Sequence, residues 1–258
     1  MIELKNISFK YPCFEVKNLN LKFNSGEIVA LVGNNASGKT TILNIIGGLL
    51  KTKGEILIND VPRSKSDAKI GVVFQNPDNQ IIFNKVYDDI AFTLKNFNVD
   101  KKEFDERISN ALAMVEMQNY KERETFSLSA GQKQRVAIAN MLAINPEIIL
   151  FDEASVFLDT QTKQLLYKLF IKLKEQGVTV IFATNLLEEI VYADRAIVLD
   201  HGKVLAFDTT QNLIQNLDLF NNLGMYIPLK IKLLNSFGIT DAKFDDELFD
   251  KINNKKGK

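Results

Sequence analysis

The sequence predicts an α/β fold with a largely parallel sheet, and three observations carry that prediction. Short apolar runs bounded by turn residues alternate with helical patterns. A glycine-rich turn follows one of these runs, EIVALV, and opens a helical pattern at Lys39. A mostly helical stretch from about Asn76 to Asn145 interrupts the alternation and reads as an inserted helical subdomain.

Element by element, residues 1 to 32 read as strands: IELKNISF, the alternating LNLKF, and the apolar EIVALV after Ser25-Gly26. The pattern predicts an N-terminal antiparallel β subdomain. A helix is expected from Lys39 to about Leu50, then a hairpin-like GEILIND and a short strand KIGVVFQ from Lys69 to Gln75. After the helical insertion, the strand EIILFD, a long helix to Gln176, the strand VTVIFAT and the hairpin AIVLDHGKVLAFD return to the sheet. The main domain is expected over residues 1–210, with residues 211–258 as a C-terminal appendage suited to dimerisation or to covering the sheet.

Composition narrows the chemistry. The 258 residues carry 32 Lys and Arg against 32 Asp and Glu, so no global field attracts polyanions and nucleic acid is not an expected partner. With one His and one Cys, the chain lacks the material for a zinc site, a Cys-His pair or a Ser-His-Asp triad. Catalysis must therefore run on carboxylates, Lys, hydroxyls, backbone amides or a hard metal ion. No uncharged apolar run reaches the ~18 residues that span a bilayer, and MIELKNISFKYP has no signal-peptide core. A cytoplasmic chain, or one peripheral to a membrane through a partner, is expected.

Residues 33 to 40, GNNASGKT, match G-x-x-x-x-G-K-[ST] between a strand and a helix, which defines a phosphate-loop (RecA-like) NTPase core. Gly33 and Gly38 permit dihedrals and close approaches that a Cβ forbids. The backbone of Asn34, Asn35, Ala36 and Ser37 can then turn its N–H groups toward phosphate, with Thr41 following on the helix. Lys39 would neutralise phosphate charge and the Thr40 hydroxyl would ligate Mg²⁺. Phosphoryl transfer also needs a metal carboxylate and a group that orients water. EIILFDE supplies both: Asp152 for Mg²⁺ and Glu153 as general base.

Between these motifs lies LSAGQKQRVAIAN, and with it the chain resembles an ATP-binding-cassette ATPase over roughly residues 1 to 210. LSAGQ resembles the family signature LSGGQ, with Ala130 in place of one Gly. The resemblance implies head-to-tail pairing of two cassettes, in which Ser129, Gly131 and Gln132 of one cap the γ-phosphate held by the other. It further implies that Tyr11 stacks on adenine and that Gln75 touches Mg²⁺ and relays the nucleotide state to a membrane partner. FQNPDNQIIF and the DEA after the carboxylate strand resemble the energy-coupling-factor subgroup. These importers take up vitamins or transition-metal ions through a membrane substrate binder and a transmembrane coupling subunit. The implied location is the cytoplasmic face of the cell membrane.

Two positions depart from the family pattern. VIFATNLLEE puts Asn185 where the family has the His that contacts the γ-phosphate, and the single His201 lies in the hairpin turn beyond. The loop after Glu153 reads Val156-Phe157-Leu158-Asp159 where Ser-Ala-Leu-Asp is usual; Asp159 is retained and the hydroxyl is lost, unless Ser155 substitutes. Asn hydrogen-bonds but cannot become cationic. The expectation is a cassette that binds ATP normally and hydrolyses it slowly at its own site, as the weaker half of a heterodimer. Competing readings are another ABC transporter subtype and a soluble cassette ATPase acting on DNA or ribosomes. The latter normally carries a long coiled coil or two cassettes, and neither is seen here.

Overall fold

A computed structural model describes residues 1–12, 14–239 and 242–256, with side chains described to residue 253. Cys13 lies outside the described residues. The chain forms two compact units, Met1–Arg63 with Phe182–Lys258, and Ser64–Ile181.

In the first unit, β1 (Ile2–Tyr11), β2 (Phe14–Phe23), β4 (Lys53–Ile58) and β5 (Val61–Pro62) form an antiparallel sheet in the order β2-β1-β4-β5, as the N-terminal pattern predicts. Alternation sets its buried face. Ile2, Leu4 and Ile7 of β1 pack with Val16, Leu21 and Phe23 of β2, and polar residues between them face outward. The run β3 (Ile28–Val32) is 0% exposed at all five residues, the pattern of a strand covered on both faces. It pairs in parallel with β9 (Arg195–Asp200), which pairs antiparallel with β10 (Lys203–Thr209). The ladder begins at a reciprocal contact: the Ile28 amide donates to Asp194 Oδ2 at 2.9 Å, and the Asp194 amide donates to Ile28 O at 2.8 Å.

Helix α1 spans Lys39–Gly47, three residues shorter at its end than the sequence suggests. Gly48 takes φ 73 and its amide turns back to Ile45 O, so the chain exits there instead of at Leu50. Among the described residues, four helices follow β10: α6 (Thr210–Gln215), α7 (Leu217–Asn222), α8 (Leu229–Ser236) and α9 (Asp245–Lys256). Thr209 caps α6, Thr210 Oγ1 donates to Ala193 O at 2.7 Å, and Phe220 and Ile231 are completely buried. The appendage is thus a packed part of the first unit.

In the second unit, β6 (Ile70–Val73) pairs in parallel with β7 (Ile148–Asp152). Between them run α2 (Val86–Asn96), α3 (Phe104–Met114) and α4 (Ala130–Ala143), which pack through Ile90, Leu94, Ile108, Leu112 and Val136. Helix α5 (Thr160–Glu175) buries Leu166, Leu169, Phe170 and Leu173, a stripe at helical spacing, and Phe170 meets Phe151 with ring centroids 4.6 Å apart. Strand β8 (Thr179–Thr184) carries the chain back into the first unit.

Candidate active site

The phosphate loop sits between β3 and α1, as its motif requires, and three supports shape it. An added Cβ at Gly33 would lie 2.3 Å from Leu199 O, so the loop starts in van der Waals contact with β9. Its φ is not positive; Gly33 serves the close approach alone. Gly38 has φ 109, and a Cβ there would lie 2.6 Å from Phe14 Cζ, so both constraints apply. Between them the Ser37 amide donates to Asn34 O at 3.2 Å, closing a turn whose third residue, Ala36, has φ 62. That is the position where a type II turn takes glycine, and an alanine there costs about 1–2 kcal/mol. The sequence motif gives no sign of this strain.

Lys39 is 4% exposed, and its ammonium donates to Gly33 O at 2.9 Å and to Asn34 O at 3.1 Å. The cation is thereby held inside the loop at the first turn of α1. Ser37 Oγ is buried without a hydrogen-bond partner, a polar atom suited to a ligand. Thr40 is exposed and Thr41 half-buried on the opening turn of α1.

The same unit places Asn185 just beyond β8, where its amide donates to Asn35 Oδ1 at 3.5 Å. Asn185 thus reaches the phosphate loop. Tyr11, the last residue of β1, is 44% exposed and meets Phe9 edge-on at 4.6 Å. His201 is exposed in the hairpin turn where the sequence puts it, with φ 44 beside Gly202 at φ 78, a type I′ turn. The Gly202 amide donates to Ser37 O at 2.8 Å, so the turn supports the loop through its backbone.

The second unit gathers the other sequence-predicted residues. Asp152 ends β7 and is 7% exposed. Glu153 follows with φ 47, a left-handed conformation costly for a non-glycine residue. Gln75, just after β6, donates through Nε2 to Glu153 Oε2 at 2.8 Å. The parallel pairing of β6 with β7 brings the two strand ends together, which periodicity alone does not reveal.

Ser129 caps α4 in a capping box: the Gln132 amide donates to Ser129 Oγ at 3.3 Å, and the Ser129 amide donates to Gln132 Oε1 at 2.9 Å. The signature residues are therefore fixed at a helix start. An added Cβ on Gly131 would lie 3.1 Å from Phe157 O, which ties the signature to the altered loop. In that loop Val156 and Phe157 are exposed and Ser155 is buried. Asp159 caps α5, its carboxylate accepting from the Thr162 amide at 2.9 Å and hydroxyl at 3.1 Å. The Thr162 amide foremost, then its hydroxyl, hold this carboxyl below the usual carboxylate range.

Asp89 is among the buried acids that the sequence did not single out. Asp89, 2% exposed on α2, accepts from the amides of Ile82 (2.8 Å) and Phe83 (3.0 Å) and from Asn140 Nδ2 of α4 (2.7 Å). Burial pushes its carboxyl above the ordinary range, against those hydrogen bonds. It organises an apolar surface on which Ile82 is 71% and Phe126 70% exposed, with the Phe83 and Phe92 rings 4.9 Å apart. A buried Asp in a helical pattern has no sequence signature apart from its apolar neighbours.

The ABC transporter family pattern matches residues 16–156. A loop strand-to-helix phosphate cradle, a strand-end Asp-Glu and a capped LSAGQ helix define the class, and the chain belongs to the ABC transporter ATPase family. Within that family it belongs with the energy-coupling factor transporter ATP-binding proteins. It is 39% identical to the protein of that name, EcfA1, from Streptococcus mutans, with 98% of this chain and 96% of the relative covered. The EcfA1 of Ligilactobacillus salivarius is 41% identical, with 90% and 86% covered. Among solved structures, CbiO1 of Clostridium perfringens, part of the ABC transporter complex CbiONQ, matches with a TM-score of 0.75 at 28% identity, covering 90% of this chain and 98% of that one. A dimeric ATP-binding cassette in a post-hydrolysis state with ADP and phosphate matches with a TM-score of 0.73 at 33% identity, covering 81% and 99%.

Proposed function

We propose that this chain is the ATP-binding and hydrolysing subunit of an energy-coupling-factor importer, taking up vitamins or transition-metal ions. The observation that carries this reading is the phosphate loop, with Lys39 buried against its carbonyls, in a chain that aligns over nearly its whole length with EcfA1 relatives.

ATP is the substrate. The loop from Gly33 to Thr40 cradles its phosphates, Lys39 neutralises their charge, and Tyr11 stacks on the adenine. In the first unit the Thr40 hydroxyl, and in the second the Gln75 amide oxygen and the Asp152 carboxylate, are hard oxygen donors of the kind Mg²⁺ takes. No group of three or more His, Cys, Asp or Glu forms another candidate metal site among the described residues. Held by these residues, the ion would neutralise phosphate charge. Glu153 orients and deprotonates the attacking water, with Gln75 fixing one carboxylate oxygen. Asp159 anchors the following loop by capping α5, and Ser129, Gly131 and Gln132 serve the nucleotide of a second cassette.

Asn185 takes the place of a cationic or hydrogen-bonding His, so this site turns over slowly, and a heterodimer with a second cassette supplies the faster site. The exposed surface around Ile82, Phe83 and Phe126 suits docking of a transmembrane coupling subunit, and with that partner the chain would work at the cytoplasmic face of the membrane. No helix among the described residues is long and apolar enough to cross a membrane.

Affinity purification from membranes, with mass-spectrometric identification of bound subunits and ATPase assay of the eluate, tests the proposal. A second cassette plus an integral membrane protein is expected, with ATP-dependent turnover. Recovery without any integral membrane partner overturns the importer reading.

A further inference from the structure

The appendage reaches the phosphate loop. Asn34 Nδ2 donates to Leu223 O at 2.7 Å, a bond between residues 189 positions apart within the first unit. Both ends of that bond are held. Leu223 ends α7 in a helix-terminating turn, where the Gly224 amide donates to Asn221 O at 2.9 Å and the Met225 amide to Phe220 O at 3.0 Å, with Gly224 at φ 65. Phe220 is completely buried and anchors the turn. At the other end, Asn34 O accepts from both Lys39 Nζ and the Ser37 amide. One residue therefore joins the catalytic lysine, the strained turn through Ala36 and the C-terminal segment.

A turn that carries a left-handed alanine needs external restraint to stay closed. The supports from β9 and the β9–β10 hairpin act on Gly33 and Ser37. Only the Leu223 carbonyl, among the described hydrogen bonds, restrains the Asn34 side chain.

We infer that Asn34 is a positioning residue, clamped by the Leu223 carbonyl so that the C-terminal appendage sets the geometry of the phosphate loop and raises its affinity for ATP. The clamp works through the Asn34 backbone, which holds Lys39 and closes the turn. It rests on the reading of this loop as an ATP site. By linkage, whatever shifts α7 changes ATP affinity, and ATP binding changes the position of α7 by the same free energy.

Calorimetric titration of the purified full chain with ATP, without added Mg²⁺ to prevent turnover, tests the clamp. Asn34→Leu removes the donor at similar size and is expected to weaken binding about fivefold or more. Asn34→Gln keeps the amide and is expected to recover most of that loss. Gly224→Ala displaces the Leu223 carbonyl from a distance: the added Cβ meets nothing within 4 Å, and only its φ is costly. It is expected to weaken binding in the same direction, and the Asn34→Leu/Gly224→Ala double variant to be no weaker than the worse single one. Thermal midpoints of each variant confirm folding. If wild type binds ATP and Asn34→Leu matches it, or Asn34→Gln is no better than Asn34→Leu, or the two lesions add fully, the clamp is overturned. If wild type binds no ATP, the functional reading fails first and takes the clamp with it.

Discussion

Gln75 Nε2 donates to Glu153 Oε2 at 2.8 Å, tying the second residue after β6 to the first residue after β7. The bond links the residue proposed to report to the membrane partner with the proposed general base. A displacement of Gln75 by that partner would remove one hydrogen bond from a residue already in an unfavourable backbone conformation. Coupling between transport and hydrolysis then needs no longer route than one side-chain hydrogen bond.

Glu153→Gln keeps the shape and loses the base. ATP hydrolysis by the assembled complex is expected to fall by about 10²-fold or more at this site, with ATP affinity of the isolated chain unchanged. Steady-state hydrolysis and calorimetric binding measured on the same preparation check both halves. Undiminished turnover would show that another group activates the water.

Asn185→His restores an imidazole at the end of β8. If the missing donor limits hydrolysis, turnover of the chain paired with its second cassette rises by on the order of 10²–10³-fold, the range typical of one preorganised donor. A pH profile should gain a limb near the ordinary histidine value of about 6.5. Robust turnover by the isolated wild-type chain, unaltered by the substitution, sinks the slow-site reading.

Gly38→Ala meets both of its constraints at once, φ 109 and an approach of 2.6 Å to Phe14 Cζ. Loss of detectable ATP binding is expected with the fold retained, since the change falls on a loop. Adding Phe14→Leu relieves the contact and leaves the φ cost, so rescue should be partial. Circular dichroism and calorimetry separate folding from binding.

Asp89 separates charge from hydrogen bonding. Asp89→Ala strands the amides of Ile82 and Phe83 and should cost about 2–4 kcal/mol. Asp89→Asn keeps an acceptor for both amides, and its NH₂ can meet Asn140 once that amide turns its buried, unpartnered Oδ1 inward. It should be near neutral or stabilising at pH 7. The folded carboxyl binds its proton at higher pH than the unfolded one, so ionisation costs stability at neutral pH, and the cost fades as pH falls toward 3.8. The stability gap between Asp89→Asn and wild type should therefore close on acidification. Urea denaturation at several pH values measures it; a gap that widens instead would contradict the burial argument.

The sequence was most legible where a rule acts over a few residues. The phosphate loop, the β9–β10 hairpin and the individual strands of the N-terminal sheet all follow from short-range patterns. Contacts across long separations were not: the Gln75–Glu153 bond depends on strand order, and the Asn34–Leu223 bond on where α7 ends. Ala36 shows a third limit. Its residue type argues for an ordinary φ, and only the closing Ser37–Asn34 bond forces the value of 62. The helix after the loop was overextended to Leu50 because Leu49 and Leu50 continue the apolar run, while Gly48 had already reversed the chain.

The first unit is made from both ends of the chain, and this orders events during synthesis. Ile28 and its partner Asp194 are 166 residues apart, so at ~5–20 residues per second the ribosome needs on the order of 10–30 s to supply the partner. Throughout that interval β3, the wholly apolar IVALV, has no β9 to pair with. The second unit, continuous from Ser64 to Ile181, emerges complete before then. Nascent chains stalled before Arg195 should therefore expose a sticky apolar strand, the natural target of a ribosome-associated chaperone.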